Sequence, residues 1–297
     1  MQELLHVARI SLQSKLKDYS MLMKLSLSIM VVFSSVMSYL LSPKIVLFNW
    51  EMVSWLFISG IFITGSANTM NQIIEKKSDA KMKRTSNRPL ATGRMTEEEA
   101  WIFAIVTGII GISVLALIFN VWAATLALSS MFLYAFVYTP LKKKGKIALF
   151  VGAVSGSAPC LIGWVAGNDY LSLGGIVLFT IQFLWQFPHF YAISWLAKDD
   201  YKKLGFRFLP FKNQPNRRTA MDTIFYSIAI CWVAIIPFFI QMTDWRGTTI
   251  VLLASIYLLT KCIVLYNKLD NIRAKQLLLT CYLYIPIMYF SLLIDKI

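Results

Sequence analysis

The chain has 297 residues, 57% of them hydrophobic and only 15% charged, with a mean hydropathy of +0.61. A soluble domain carries about a quarter of its residues as charges, so the composition excludes an ordinary water-soluble fold and points to lipid as solvent. The few charges sum to +14, a bias that suits nucleic acid, anionic headgroups or an anionic substrate until position decides among them.

A bilayer core of roughly 30 Å needs about 20 apolar residues per helix. Nine stretches meet that length: 22–41, 46–70, 100–118, 121–140, 147–166, 171–196, 219–241, 247–266 and 276–294. The first has no cleavage site and is as long as a full span, so it reads as a helix and not as a removable signal. Trp50, Trp101, Trp122, Tyr138, Tyr170 and Trp245 sit at span ends, where interfacial aromatic belts form. Lysine and arginine test the parity of this layout. Of the 29, 26 fall on one side, in the amino-terminal segment (Arg9 to Lys24) and four alternate connections that include Lys146, Arg207 and Lys212. Only Lys44, Arg246 and Lys296 fall on the other. The positive-inside rule then predicts a cytoplasmic amino terminus, with residues 1–20 as a cytoplasmic segment. Cys160, Cys231, Cys262 and Cys281 lie far apart in apolar runs with no CxxC pair, and read as small buried side chains.

Two connections are long, 71–99 and 197–218, and both mix acids with bases. Asn71, Glu75 and Asp79 recur at i, i+4 and i+8. At 100° per residue they stay within about 80° of one helix face, with Asn68 inside the same arc and the two carboxylates about 6 Å apart along the axis. Hard oxygen ligands so spaced suit Mg²⁺ shared with a substrate phosphate; a solvated helix end laced with ion pairs shows the same spacing. Lys83, Arg84 and Arg88 follow at once, with cations that suit diphosphate oxygens. The second connection holds Asp199 and Asp200 followed by Lys202 and Lys203, a pattern that would serve equally as a helix cap. Gln182, Gln186 and His189 lie inside the sixth span, where polar groups face the bundle interior by default.

Three segments carry a resemblance: NQIIEKKSDAKMKRTSNRPLATGRM at 71–95, YTPLKKKGKIALFVGAVSGSAPCLIGWVAG at 138–167, and FLWQFPHFYAISWLAKDDYKKLGFRFLP at 183–210. Together with the nine-span layout they resemble the UbiA superfamily of intramembrane prenyltransferases, and within it the branch that prenylates heme. The resemblance implies an all-α membrane protein: one domain over 1–297, nine transmembrane helices in a single bundle around an apolar chamber. It implies a cytoplasmic-membrane enzyme that joins farnesyl diphosphate to heme b and adds water to give heme O, with Mg²⁺ as cofactor. Asn71, Glu75 and Asp79 match the first acidic motif, with Glu75 where many members have Asp; Tyr138 and Lys142 match a Tyr-x-x-x-Lys pair near the diphosphate. Asp199 and Asp200 fall in the second acidic region, although the superfamily's Asp-x-x-x-Asp positions are here Ala197 and Tyr201. The implied metal ligands are thus Asn71, Glu75, Asp79, Asp199 and Asp200, with Asn68, Lys83, Arg84, Arg88, Gln186 and His189 on the substrates. Tyr138 and Trp185 are expected to shield an allylic cation through their ring faces. A heme A synthase or terminal-oxidase assembly is the expected partner, and nucleic acid is not. Two other readings remain: the same enzyme class with an aromatic or quinone-precursor acceptor, and a transporter, against which the acidic stripe at one membrane face argues.

Overall fold

The computed structural model describes residues 2–206, 208–209 and 214–297, with the side chains of 2–12 and 146 left out. Arg9, Lys146, Arg207 and Lys212 of the charge count therefore lie outside the described side chains.

Two helices open the chain, α1 (Gln2–Met23) and α2 (Leu25–Leu41), bent by 48° at Lys24, whose backbone is left-handed at φ 48°. The predicted first span, 22–41, thus contains a bend at Lys24. Asn49 caps the long α3 (Trp50–Asp79) by accepting from the amides of Glu51 and Met52. This helix stays continuous through the whole acidic stripe, past the predicted end of its span. A tight turn and α4 (Pro89–Thr92) lead to α5 (Glu97–Val114), where the Thr96 cap and three glutamates in the first turn suit the positive helix end. It finishes in a π-helical segment, Leu115–Phe119. Beyond come α6 (Val121–Phe132), a second π segment Leu133–Tyr138, and the short α7 (Thr139–Leu141). The chain continues through α8 (Lys146–Asn168), α9 (Leu173–Leu196), the short α10 (Lys198–Leu204), α11 (Arg217–Val233), α12 (Ile236–Phe239), α13 (Trp245–Lys268) and α14 (Asn271–Ile294).

Among the described residues eight helices are long and apolar enough to cross a membrane, and nine if the bent α1–α2 pair counts as one. All regular structure among them is helical, as lipid demands when every backbone group must be satisfied within its own segment. Many large apolar side chains point outward, Ile102, Ile109 and Leu117 among them, as they do in a molecule solvated by hydrocarbon. In the bundle α2 packs on α3 and α8, α3 on α5, α6 on α8, and α9 on α8, α11 and α14. The α2–α8 contact is backbone-close. A Cβ at Gly163 would collide with the carbonyl of Ser35, so only glycine lets these helices meet. Between α2, α3, α6 and α8 lies an elongated, mostly apolar cavity. The all-helical, many-span fold is as expected.

Candidate functional site

The helical spacing of the stripe predicts one face, and that face is buried. Asn71, Glu75 and Asp79 are 1%, 8% and 1% exposed, on the side of α3 turned to the bundle and not to solvent. Buried carboxylates need partners, and each has a cation from a different part of the chain. Lys142 Nζ donates to both Glu75 oxygens at 2.8 Å. Arg88 Nη1 donates to Asp79 Oδ2 at 2.6 Å. Lys24 Nζ donates to Asn71 Oδ1 at 2.9 Å, while the Asn71 amide donates to Glu75 Oε2 at 2.9 Å and to Thr139 Oγ1 at 3.0 Å.

Local structure explains each arrival. Bending the chain at Lys24 frees the last carbonyls of α1, and α3 takes them up. Gln72 donates to the carbonyls of Met21 and Leu22, and Asn68 to that of Met23 and to Ser28 Oγ. Those bonds hold Lys24 in its left-handed backbone with its amine on the stripe. Thr85 donates to the Asp79 carbonyl at 3.0 Å, closing the turn that brings Arg88 back over Asp79. The π segment ahead of α7 re-aims Tyr134 and Tyr138, whose rings lie 5.6 Å apart. Tyr134 donates to Asn68 Oδ1 at 3.3 Å and lines the cavity, and Lys142 Nζ sits 5.0 Å from the Tyr138 ring centre. Charged groups therefore stand at one end of an apolar chamber with the Tyr134 ring at the junction and Tyr138 beside it.

The other predicted residues are distributed unevenly. Lys83 and Arg84 are exposed on the turn and are not among the cations paired with the stripe. Asp199 is exposed and Asp200 half-buried on α10. On α10 the Tyr201 ring packs on Phe206 and Phe208; burial pushes its phenol above the usual range, Arg84 opposes that, and Glu75 and Asp200 add to it. Among the described residues no three His, Cys, Asp or Glu side chains come together to hold a metal ion, so Asp199 and Asp200 do not close a cluster with Glu75 and Asp79 here. Gln186 is buried against α8, where a Cβ on Gly156 would touch its amide. His189 turns the other way, toward α14. It stacks on Trp185 with ring centres 4.8 Å apart, meets Tyr282 at 5.4 Å, and its Nδ1 is buried without a hydrogen bond. Trp185 donates to the Cys281 carbonyl in the α9–α14 core, and the rings beside the stripe are those of Tyr134 and Tyr138. Lys24, Tyr134 and Thr139 went unnoticed in the sequence. Lys24 looked like one more cytoplasmic lysine, although a cation inside an apolar run was the available signal.

A donor set for Mg²⁺ is present in the stripe. Asn71, Glu75 and Asp79 offer hard oxygens, and Asp79 Oδ1 is buried with no hydrogen-bond partner, an atom that a divalent cation would satisfy.

Comparison with known proteins agrees with this fold. Protoheme IX farnesyltransferase of Cytophaga hutchinsonii is 37% identical over 284 residues, 96% of this chain and 99% of the relative. The protein of the same name from Christiangramia forsetii is 40% identical over 291 residues, covering 95% and 94%. Among solved structures, digeranylgeranylglyceryl phosphate synthase superposes with a TM-score of 0.78 at 19% identity, covering 95% of this chain and 98% of that one. A UbiA homologue from Archaeoglobus fulgidus bound to DMAPP and Mg²⁺ gives 0.68 at 16%, covering 93% and 99%. The profile of the UbiA prenyltransferase family matches residues 31–291. With the fold and the length in agreement, this chain belongs to the UbiA prenyltransferase family.

Proposed function

We propose that this chain transfers a farnesyl group from farnesyl diphosphate to a vinyl group of heme b, water completing the product heme O, at a site facing the cytoplasm. One observation carries the reading: a buried acid–amide stripe, matched by Lys24, Arg88 and Lys142, opens onto an apolar chamber. A long apolar tail with a multiply charged anionic head is the ligand that suits both halves. Similarity over nearly the whole chain to protoheme IX farnesyltransferases supports the particular donor and acceptor.

Asn71, Glu75 and Asp79 would hold Mg²⁺, with Asp199 and Asp200 at the rim as the second acidic region. The metal supplies charge neutralisation on diphosphate oxygens. Lys24, Arg88 and Lys142 neutralise the leaving diphosphate as the C1–O bond breaks, which is where fixed cations stabilise a developing charge most. Lys83 and Arg84, exposed beside them, draw the anion in. The ring faces of Tyr134 and Tyr138 stabilise the allylic cation, and Asn68 fixes Tyr134 by accepting its hydroxyl hydrogen. The terminal vinyl carbon attacks C1; water then adds to the cation left beside the porphyrin ring and loses a proton. Until the carbon–carbon bond forms, the chamber keeps water from the farnesyl cation. We assign Gln186 and His189 to the porphyrin side. Lysine and arginine parity supports nine spans, a cytoplasmic amino terminus and a cytoplasmic-membrane location. Co-purification with a heme A synthase or a terminal-oxidase assembly is the partner test.

The product identifies the acceptor. Membranes containing this chain, given heme b and farnesyl diphosphate, should accumulate heme O by mass spectrometry. Heme left unchanged while hydroxybenzoate is prenylated would replace this acceptor with an aromatic one.

A further inference from the structure

The chamber has a closed end, and its position bears on which prenyl chain it takes. On α3 the lining residues run from Asn68 at the charged end to Leu56 at the far end. Twelve helical positions at 1.5 Å each make about 18 Å. The farthest lining residue of each wall falls at one level: Ser35 on α2, Leu56 on α3, Leu115 after α5, Ala127 on α6 and Ile162 on α8. The apposition of Gly163 to Ser35 and of Gly111 to Ser59 and Ile63 places α8 and the end of α5 at that same depth. Leu56, Leu115, Ala127 and Ile162 belong to one packed cluster, which continues outward into Tyr39, Ala123 and Val165. Leu56 and Leu115 are each 1% exposed. The far end is therefore filled protein and not an opening to lipid.

We infer that this floor, with Leu56 and Leu115 at its centre, sets the length of the prenyl chain at fifteen carbons; the inference rests on the prenyl-diphosphate reading above. Extended carbon chains advance about 1.2 Å per bond, so farnesyl's main chain reaches about 13 Å and geranylgeranyl's about 18 Å. Terminal methyl groups stop about 4 Å from the atoms beneath them, which leaves about 14 Å of the lined depth. Farnesyl fits that space, and one more isoprene unit does not. The polar end fixes the other boundary, because the diphosphate is held at Lys24, Arg88 and Lys142 and cannot slide outward to relieve the crowding.

The test needs no heme. Purified protein with Mg²⁺ is titrated with the non-hydrolysable thiolo-diphosphates of geranyl, farnesyl and geranylgeranyl. Wild type should bind the farnesyl compound most tightly. Leu56→Ala and Leu115→Ala, separately and together, should raise affinity for the geranylgeranyl compound relative to farnesyl by about tenfold or more, the usual discrimination of a shaped apolar pocket. Leu279→Ala, on the exposed face of α14, should leave that ratio unchanged. Ala127→Leu raises the floor and should shift preference to geranyl, which reads the same boundary should the cavity-forming pair unfold. An unaltered length ratio in floor variants that still bind prenyl diphosphates overturns the floor. Absence of any prenyl-diphosphate binding in wild type overturns the proposed function instead.

Discussion

Replacing Lys142 by methionine isolates the ion pair at the heart of the site. Its ammonium lies 2.8 Å from both Glu75 oxygens, and the two side chains are 12% and 9% exposed. Once the cation is gone, the carboxylate keeps only the neutral Asn71 amide at 2.9 Å. Removing one member of a buried pair costs about 3–5 kcal/mol; with the mouth of the site at the end of the bundle, about 3 kcal/mol is the expected loss. For a chain of this size roughly 2 °C accompanies each kcal/mol, so the unfolding midpoint in detergent should fall by about 6 °C. Adding Glu75→Gln removes the stranded charge and keeps an Asn71 contact. The double variant should therefore recover to within about 1 kcal/mol of wild type while staying inactive. Tryptophan fluorescence on heating, beside a turnover assay, reads both effects. A single variant as stable as wild type, or a double variant no more stable than the single, would refute the buried-pair reasoning.

Glu75→Gln with Asp79→Asn keeps the shape of the stripe and removes both charges; turnover should fall by about a thousandfold or more while the helical circular-dichroism signal persists. A fold-only role for these carboxylates predicts loss of helix with retained activity per folded molecule. Gly163→Ala drives a methyl group into the Ser35 carbonyl and should cost about 1–3 kcal/mol in thermal unfolding, whereas the exposed Gly93 would affect stability only through its positive φ. His189→Ala should weaken heme b binding, measured by spectral titration, and leave farnesyl thiolo-diphosphate affinity alone. Unchanged heme affinity and product yield would remove His189 from the porphyrin site.

Much of the site was legible because it is helical. Asn71, Glu75 and Asp79 announce one face by spacing alone, and the charge parity located them at one end of the spans. Burial was not legible: the same i, i+4 series fits a solvated helix end, and only the bundle shows that the face is turned inward. A cation inside an apolar run marks Lys24 in the sequence, but its contact with the stripe depends on a bend held by Asn68 and Gln72 from another helix. Tyr134 and Tyr138 are aimed by a π segment, whose altered register no 3.6-residue count anticipates. Trp185 illustrates the opposite failure. It shares a helix with Gln186, one residue away, yet the 100° step sends one side chain to α14 and the other to α8. Asp199 and Asp200 read equally as ligands or as a helix cap in the sequence, and the fold leaves Asp199 exposed and Asp200 half-buried, with no cluster closed on Glu75 and Asp79 among the described residues.

The most direct measurement is the mass of the heme product made by purified protein from heme b and farnesyl diphosphate in ¹⁸O-water, with Mg²⁺ and after chelation. The account predicts a product carrying one farnesyl group and one ¹⁸O atom, formed only with the metal present. Unmodified heme beside hydrolysed farnesyl diphosphate, or equal yield after chelation, would contradict it.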